Sequence, residues 1–547
     1  MIQLGKSQAQ RRLLAFAVAV VGTALIAFAP TPEGLSLRGQ YAFATMFFAG
    51  FLWVTGSLPL AVTALSIPIL LTGFGVYGDM DAALRGFADH IIFLFIAGFM
   101  LANALQKYDI DRRIALRMMV AMGSSPRRLV LAVMLATAFL SMWVSNTATA
   151  AMMLPIALGV LAQVVGRERI SAPDADPSED IEDVDGTDGA SSLDGAGATN
   201  FQRSLLLGTA YAASVGGVGT LIGTPPNAIL AGQLNSILGY EISFAEWLLI
   251  GLPVVFITLP LVWILLTMVL YPPRIDDVTD ARAQARQELR DEGPLGPRGK
   301  RVAYIFTATA VLWVVGGLGE GVQYLIDTNV LPLPQAWFNT LYGTSDGMTI
   351  FGVRGHQGAL YYVMVGMLAI PALVLADTAD WDDLVDIDWG TILLFGGGIS
   401  LADALADTGA TEWIADVVFT SLTGSPIVLV VAVVVLLVIF LTEMTSNTAT
   451  STIIIPILIG IGGVFSATLG LPDVAASVFL AVSGAIAASF AFALPVATPP
   501  NAIVFGSGYL EQKDMMKAGV ILNIIMTGVL TALIWVLFQF VWPHILW

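Results

Sequence analysis

Two short polar motifs interrupt long apolar stretches of the 547-residue sequence. Each motif reads Ser-Asn-Thr, once at Ser145–Thr147 and again at Ser446–Thr448. Hydroxyl and amide groups supply neutral, hard oxygen donors, which suit alkali cations better than transition metals. Ser, Asn and Thr are also good helix N-caps, and an apolar helix resumes after each motif, so a helix N-terminus is predicted at each one.

Paired prolines form a second kind of interruption. They follow Thr224 and Thr498 in the matching strings Thr-Pro-Pro-Asn, and proline suits the first turn of a helix. Breaks inside an apolar span are costly unless the freed backbone groups find partners. Four half-helix N-termini, each worth about half a positive charge, would thus face one region. An anion is the expected ligand. Because the motifs contain no Lys or Arg, bound sodium ions would supply the missing positive charge.

Composition places these motifs in a membrane protein. The chain is 56% hydrophobic and only 12% charged, whereas soluble domains are about one quarter charged. Two stretches, 127–165 and 425–466, are too long for one crossing and carry the Ser-Asn-Thr motifs at their centres, which predicts two re-entrant hairpins. Eleven further spans are predicted near 13–30, 41–56, 57–75, 89–106, 204–234, 245–270, 302–320, 358–376, 388–405, 472–505 and 518–541.

Charge predicts the orientation. With a cytoplasmic N-terminus and an outer C-terminus, all of the 24 Lys and Arg residues except Arg38, Arg85 and Arg354 lie on the inner side. The net charge of −17 argues against nucleic acid as a partner. The absence of Cys excludes thiol catalysis, and three widely spaced His leave little scope for a transition-metal centre.

Three blocks recur in the same order, which indicates an internal duplication. They are the two Ser-Asn-Thr motifs, the two Thr-Pro-Pro-Asn motifs, and the similar segments Phe95–Leu105 and Phe395–Leu405. The predicted hairpins open to opposite sides, so the repeats are inverted, as in secondary transporters. The predicted organisation is a tail and first helix at 1–40, repeat 1 at 41–270 with a broken helix at 204–238 and an acidic disordered insert at 171–200, a cytoplasmic linker at 271–300, and repeat 2 at 301–547 with a broken helix at 472–506.

Other signals favour simpler interpretations. Glu443 has no acidic counterpart in the first half, where Met142 stands, and is either a hydrogen-bonded structural carboxyl or a cation-coupling residue. Glycine runs such as Gly216–Gly219 favour close helix packing. A hydrolase-like Gly-x-Ser-x-Gly string at Gly343–Gly347 lies in a predicted outer loop and not at a strand-to-helix turn, so an enzyme is rejected. A channel remains as an alternative class.

These paired motifs resemble those of the divalent anion–sodium symporters, the INDY-type di- and tricarboxylate carriers. The resemblance extends over nearly the whole chain and includes the string Thr-Glu-x-Thr-Ser-Asn-Thr at 442–448. It implies an all-α polytopic membrane protein with eleven transmembrane helices and two re-entrant hairpins, a homodimer, and an elevator motion of a transport domain against a scaffold. Residues 108–122 and 407–421 would be the interfacial helices that link the two.

The resemblance also implies site residues. A first sodium site would use Ser141, Ser145, Asn146 and Gly223, and a second would use Thr442, Thr445, Asn447 and Ala497. The substrate would lie between the two motifs, near Ser145, Asn146, Thr147, Ser446, Asn447, Thr448, Thr224, Thr498 and Pro499. The expected function is sodium-coupled import of a C4-dicarboxylate across the cell membrane. A sulfate or tricarboxylate carrier, or a sodium-independent exchanger, stays open because the same motifs occur in those carriers.

Overall fold

A computed structural model describes residues 8–121, 125–165, 191–273, 275, 279–419 and 425–542. The first part of the chain is helical. Its helices are α1 (Gln8–Ala27), α2 (Leu37–Thr55), α3 (Leu60–Gly73), α4 (Met80–Leu84), α5 (His90–Lys107), α6 (Ile110–Ala121), α7 (Pro126–Ser141), α8 (Asn146–Val165), α9 (Ser191–Gly217), α10 (Pro225–Leu238), α11 (Phe244–Ile264) and α12 (Thr279–Asp291). A short 3-10 helix (Arg85–Ala88) precedes α5, and a π-helix (Leu265–Leu270) extends α11.

The second part adds twelve described helices and one β-hairpin. The helices are α13 (Pro297–Gly316), α14 (Gly319–Asp327), α15 (Gln335–Tyr342), α16 (Tyr362–Leu375), α17 (Trp381–Val385), α18 (Trp389–Asp407), α19 (Ala410–Phe419), α20 (Ile427–Met444), α21 (Asn447–Leu469), α22 (Asp473–Ala488), α23 (Pro499–Gly506) and α24 (Gln512–Phe540). The strands β1 (Gly343–Met348) and β2 (Arg354–Gln357) pair antiparallel, with Thr344 opposite His356.

Each predicted span overlaps at least one of these helices. Among the described residues, six helices are long and apolar enough to cross a membrane, or seven if α13 and α14, which are bent by 59°, count as one span. Five further apolar helices are shorter than that length. The chain is therefore a helical, multi-pass membrane protein, and the number of eleven crossings stays a prediction.

The two broken helices occupy the centre of the molecule. Every residue of α9 from Ser204 to Gly217 is buried, and so is every residue of α22 from Ala475 to Ala488. These segments are rich in Ala, Gly and Ser, whose small side chains let neighbouring helices approach closely. The outer helices instead expose large apolar side chains, such as Phe256, where lipid replaces protein as the contact. In each half, the Thr-Pro-Pro-Asn motif thus follows a fully enclosed helical segment.

Three regions differ from the sequence expectation or extend it. The β-hairpin stands in the predicted outer loop, where Gly343, Gly352 and Gly355 adopt positive φ angles that permit the turns. In the predicted linker, α12 packs against α6, and its Glu288 lies 2.9 Å from Arg112. Most of the predicted acidic insert lies outside the described residues, which resume at residue 191, so its last ten residues belong to α9.

Candidate anion and cation site

The tip of the first hairpin lies between α7 and α8. Helix α7 ends at Ser141 and α8 begins at Asn146. The Ser145 hydroxyl accepts a hydrogen bond from the Ala148 amide at 3.3 Å, which is the N-cap contact that the motif predicts. A helix N-terminus is therefore present at this tip.

The second hairpin repeats this geometry. Helix α20 ends at Met444 and α21 begins at Asn447. The Ser446 hydroxyl accepts from the Ala449 amide at 3.1 Å, three residues onward as in the first tip. Both Ser-Asn-Thr motifs thus start a helix in the same manner.

Each broken helix resumes at its paired prolines. Helix α10 begins at Pro225 and α23 begins at Pro499, with Thr224 and Thr498 as the respective N-cap residues. The Thr498 hydroxyl accepts from the Asn501 amide at 3.2 Å. The Thr224 hydroxyl makes no such cap and instead lies 3.3 Å from the Asn146 amide. The first break is therefore joined directly to the first hairpin tip.

One asparagine supports each break. Asn227 donates from Nδ2 to the carbonyls of Gly217 at 3.0 Å and Thr220 at 2.7 Å. At the matching position, 274 residues later, Asn501 donates to the carbonyls of Ala491 and Leu494, both at 3.1 Å. The sequence showed these asparagines within the repeat, but their role as backbone supports emerges only from the structure.

The second halves of the broken helices pack across the repeats. Helix α10 contacts α21 and α22 of the second half, while α23 contacts α8 and α9 of the first. Each half thus places its resumed helix against the hairpin of the other.

Three oxygens converge on one atom of the Asn146 amide. Ser141 Oγ lies 2.6 Å from that atom, the Ala213 carbonyl 3.1 Å and the Gly223 carbonyl 3.2 Å. With the amide nitrogen at this position, Asn146 donates to all three. In the opposite orientation of the Asn146 amide, its oxygen occupies this position. It then forms, with the other three oxygens, a cluster of the kind that holds a hard cation. Gly217 packs directly on this amide, where a Cβ atom would clash.

The second half contains a corresponding cluster. Thr442 Oγ1 donates to Asn447 Oδ1 at 2.7 Å and lies 3.0 Å from the Ala488 carbonyl. The Thr445 hydroxyl is engaged elsewhere, with Thr450 Oγ1 and the Leu441 carbonyl. The structure thus unites Thr442 with Asn447, whereas the side chain of Thr445 bonds within its own hairpin.

The remaining predicted residues differ in exposure. Gly223, Thr224, Ala497 and Thr498 are buried, as are Asn146 and Asn447. The exposed or half-buried members, which remain accessible to a ligand, are Ser145, Thr147, Ser446, Thr448 and Pro499. Within the described part of the chain, no group of three or more His, Cys, Asp or Glu could hold a metal ion. The candidate site therefore depends on neutral oxygens and helix N-termini.

Glu443 supports the second break directly. Its Oε1 accepts from the Phe492 amide at 2.5 Å and the Ala493 amide at 2.7 Å, and its Oε2 accepts from the Leu494 amide at 3.0 Å. Asn523 Nδ2 adds a fourth donor, 2.6 Å from Oε1. The carboxyl is only 7% exposed, so its polar atoms depend on these donors. This arrangement agrees with the structural role that the sequence left open for Glu443.

The first break lacks such a carboxyl. Its Val218 and Gly219 amides donate instead to the Val215 and Gly216 carbonyls, at 3.2 and 2.9 Å. An aromatic donor nevertheless supports each break at the same place, because Trp247 Nε1 donates to the Val218 carbonyl and Tyr211 donates to the Phe492 carbonyl. The two breaks therefore share a geometry but differ in what stabilises their first amides.

The hydrolase-like string does not form a nucleophile elbow. Ser345 lies on β1 of the hairpin, and its hydroxyl faces the neighbouring Asp346 carboxylate at 3.4 Å. A nucleophile elbow needs a sharp turn from strand to helix, and β1 leads to β2 instead. The string therefore gives no structural support for a hydrolase.

Comparisons with known proteins give the family. Residues 10–547 match the family described as the sodium:sulfate symporter transmembrane region. The sodium-dependent dicarboxylate transporter SdcS of Staphylococcus saprophyticus is 33% identical over 509 residues, which cover 92% of this chain and 87% of that protein. SdcS of Staphylococcus aureus strain USA300 is 32% identical, with 90% of this chain and 85% of that protein covered.

A solved structure agrees in fold. The YdaH transporter of Alcanivorax borkumensis superimposes with a TM-score of 0.51 over 98% of each chain, at 14% identity. That level of identity supports a shared fold alone. The family match itself extends over nearly the whole chain and includes the helices and motifs described above. The chain therefore belongs to the divalent anion–sodium symporter family and is a membrane transporter, not an enzyme.

Proposed function

We propose that the protein imports C4-dicarboxylates such as succinate, malate and fumarate, coupled to sodium ions. The observation that carries this proposal is the pair of neutral oxygen clusters, one around Asn146 at the start of α8 and one around Asn447 at the start of α21. An anion with two carboxylates suits a region that two helix tips approach from each repeat. The SdcS relatives, which are named as sodium-dependent dicarboxylate transporters, support the same assignment.

Two sodium ions would complete the charge of this site. Each helix N-terminus contributes only about half a charge, and neither Ser-Asn-Thr motif contains a basic residue. The first ion would bind among Ser141, Ser145, Asn146 and Gly223, with the Ala213 carbonyl as a further donor. The second would bind among Thr442, Thr445, Asn447 and Ala497, with the Ala488 carbonyl added. Thr445 would contribute its backbone carbonyl, because its hydroxyl is engaged with Thr450.

The substrate carboxylates would lie between the hairpin tips. Each would accept hydrogen bonds from hydroxyls and from free amides at a helix N-terminus, which are natural anion donors. The proposed contacts are Ser145, Asn146 and Thr147 from the first tip, Ser446, Asn447 and Thr448 from the second, and Thr224, Thr498 and Pro499 from the breaks.

An elevator motion would carry this site across the membrane. Helices α6 and α19 fall within the predicted interfacial segments and would link the moving part to a scaffold in each subunit of a homodimer. Each charge that moves through the membrane potential supplies about 2.3 kcal/mol per 100 mV. Co-transported sodium would therefore drive uptake of the anion against its own gradient.

Purified protein in proteoliposomes tests the function. Labelled succinate should accumulate when an inward sodium gradient is imposed, and accumulation should stop when potassium replaces sodium on both sides. Equal uptake in the two salts would contradict sodium coupling. Counterflow into vesicles preloaded with succinate but without sodium would identify an exchanger.

A sulfate carrier is the second candidate, because the matching family is described as a sodium:sulfate symporter. A panel of unlabelled competitors separates the substrates, using succinate, citrate, sulfate and glutamate at equal concentration. Inhibition by succinate but not by sulfate supports the dicarboxylate assignment. Stronger inhibition by sulfate or citrate would replace it with the corresponding anion.

The orientation can be tested because the chain contains no Cys. We propose that it lies in the cell membrane with its N-terminus in the cytoplasm and its C-terminus outside. Single cysteines introduced as Gly352→Cys in the β-hairpin and Gly293→Cys after α12 should react from opposite sides. An impermeant thiol reagent added to whole cells should label only the Gly352 variant, and labelling of only the Gly293 variant would invert the proposed topology.

A further inference from the structure

Helix α12 contacts two helices that have different roles in the proposed mechanism. It packs against α6, which falls within a predicted interfacial segment, and against α8, which is the second arm of the first hairpin. Helix α8 begins at Asn146, a proposed ligand of both sodium and substrate. A helix from the segment between the two repeats therefore bridges the hairpin that carries the site and the helix that would link it to the scaffold.

Charged side chains fix the end of α12 to the first turn of α6. Arg112 pairs with Glu288 and with Glu292, the residue that follows α12, at 2.9 Å each. Arg113 donates to the backbone carbonyls of Gly293 at 2.6 Å and Glu292 at 3.0 Å. Several charges that share partners form a network, which holds more firmly than one isolated surface pair.

A further contact fixes the opposite end of α12. Arg282 Nε donates to the Val120 carbonyl at 3.0 Å, in the last turn of α6. The two helices therefore lie antiparallel, and contacts at both ends join them into one unit.

The contact of α12 with α8 is of a different kind. A cavity of about 380 Å³ lies between α6, α8 and α12. The described residues of α8 that line it are uncharged, and Pro155, Ile156 and Val160 are among them. Gln284 of α12 reaches Gly159, where a Cβ atom would lie 4.0 Å from Gln284 Nε2, in ordinary van der Waals contact. Such surfaces can separate without leaving a buried charge unpaired.

We propose that α12 is a cytoplasmic strap, fixed to α6, that holds the first hairpin in the conformation seen here and releases α8 when the site moves. A charged network holds the strap on α6, whereas van der Waals contact holds it on α8, so α8 is the side that opens. The release step rests on the proposed function, because a moving hairpin belongs to the proposed transport mechanism. The contact between α12 and α8 does not depend on that mechanism.

A single cysteine measures this contact without any transport substrate, because the chain contains no Cys of its own. Gly159→Cys places a thiol beneath α12, which shields it from a maleimide reagent in the purified full chain. Adding Arg112→Gln and Arg113→Gln should raise the labelling rate at least about tenfold, because the charges that fix α12 are removed. Arg286→Gln with Arg290→Gln is the matched control, since both arginines are exposed on α12. Equal labelling rates in the two backgrounds would overturn the proposal.

Cross-linking in proteoliposomes tests whether the strap must release. Gly159→Cys and Gln284→Cys are introduced together and linked by a bis-methanethiosulfonate reagent, which a reductant cleaves. We expect linking to reduce sodium-driven succinate uptake at least about tenfold, and the reductant to restore it. Arg112→Cys with Glu288→Cys is the control pair, and its linking should leave uptake unchanged, because α12 and α6 move together. Unchanged uptake in the first pair, or an equal loss in both pairs, would contradict the release of α8.

The two measurements separate failure of the strap from failure of the proposed function. If the wild type shows no sodium-driven uptake, the transport assignment fails, while cysteine labelling still shows whether α12 covers α8. If wild-type uptake is normal, unchanged labelling or unimpaired uptake after linking overturns the strap alone.

Discussion

The two breaks in the buried helices have the same outline but different supports. In the first half, the Val218 and Gly219 amides are satisfied by the preceding backbone, within a glycine-rich turn. In the second half, the Phe492, Ala493 and Leu494 amides depend on the single carboxylate of Glu443. A duplicated geometry can therefore be maintained by local backbone in one copy and by a distant side chain in the other. The second break is the more vulnerable to a point substitution.

The largest effects should be alike in the two halves. Asn146→Ala and Asn447→Ala each remove the amide that joins a hairpin tip to its proposed sodium site. We expect each to reduce sodium-driven succinate uptake at least about 100-fold, with the folded protein retained. Uptake in proteoliposomes is measured beside size-exclusion profiles of both variants. Near-normal transport by either one would show that its half contributes no essential ligand.

Substitution of Glu443 should reduce stability and uptake more than the same substitution at the matching position of the first half. Hydrogen bonds to charged groups contribute about 1.5–3 kcal/mol each. Glu443→Gln removes the charge and so weakens several of these hydrogen bonds. It also places the new amide NH₂ group against backbone N–H groups, which are donors as well. We expect a clear fall in thermal stability and about a tenfold loss of uptake. Met142→Gln, at the matching position, is the control and should change both far less. Similar losses in the two variants would remove the proposed difference between the breaks.

Substitution of the asparagines that support the two breaks, Asn227 and Asn501, should affect the two halves equally. Asn227→Ala and Asn501→Ala each leave two carbonyls without their side-chain donor, at a cost of about 1–3 kcal/mol where the carbonyl is buried. We expect similar decreases in thermal stability from the two variants, measured in the same detergent. A large decrease in one variant only would mean that the repeats differ at this contact as well.

The smallest contrast concerns the two threonine caps. Thr498→Ala removes an N-cap, which costs about 1 kcal/mol, and should lower thermal stability slightly. Thr224→Ala removes no cap and instead removes a partner of Asn146, so it should raise the sodium concentration needed for half-maximal uptake. Sodium titrations and melting curves of both variants measure the contrast. Identical behaviour of the two would argue against separate roles.

Local chemistry explains which features the sequence could predict. The Ser-Asn-Thr caps and the paired prolines each specify a helix start through a few adjacent residues, and a helix begins at each of these four motifs. The Ala213 and Ala488 carbonyls were not foreseen, because any residue type offers a carbonyl and only the fold decides its direction. The amides that Glu443 binds, about 50 residues further along the chain, carried no sequence signal for the same reason.

The outer loop shows a second limit. The β-hairpin at Gly343–Gln357 was predicted as loop, because its strands are short and rich in Gly and polar residues. Its pairing depends on packing beside α15 and not on an alternating apolar pattern. Helix α12 was likewise treated as part of a linker, although it packs against α6 and its Glu288 forms an ion pair with Arg112 of that helix.

In the proposed mechanism, each half of the protein supplies one sodium site around a shared anion. Succinate binding to purified protein as a function of sodium concentration tests it most directly, in the wild type and in Ser141→Ala and Thr442→Ala. We expect a Hill coefficient of about 2 for the wild type and about 1 for each variant, because each variant loses one of two coupled sites. Sodium-independent binding in the wild type, or a Hill coefficient unchanged in either variant, would contradict the claim.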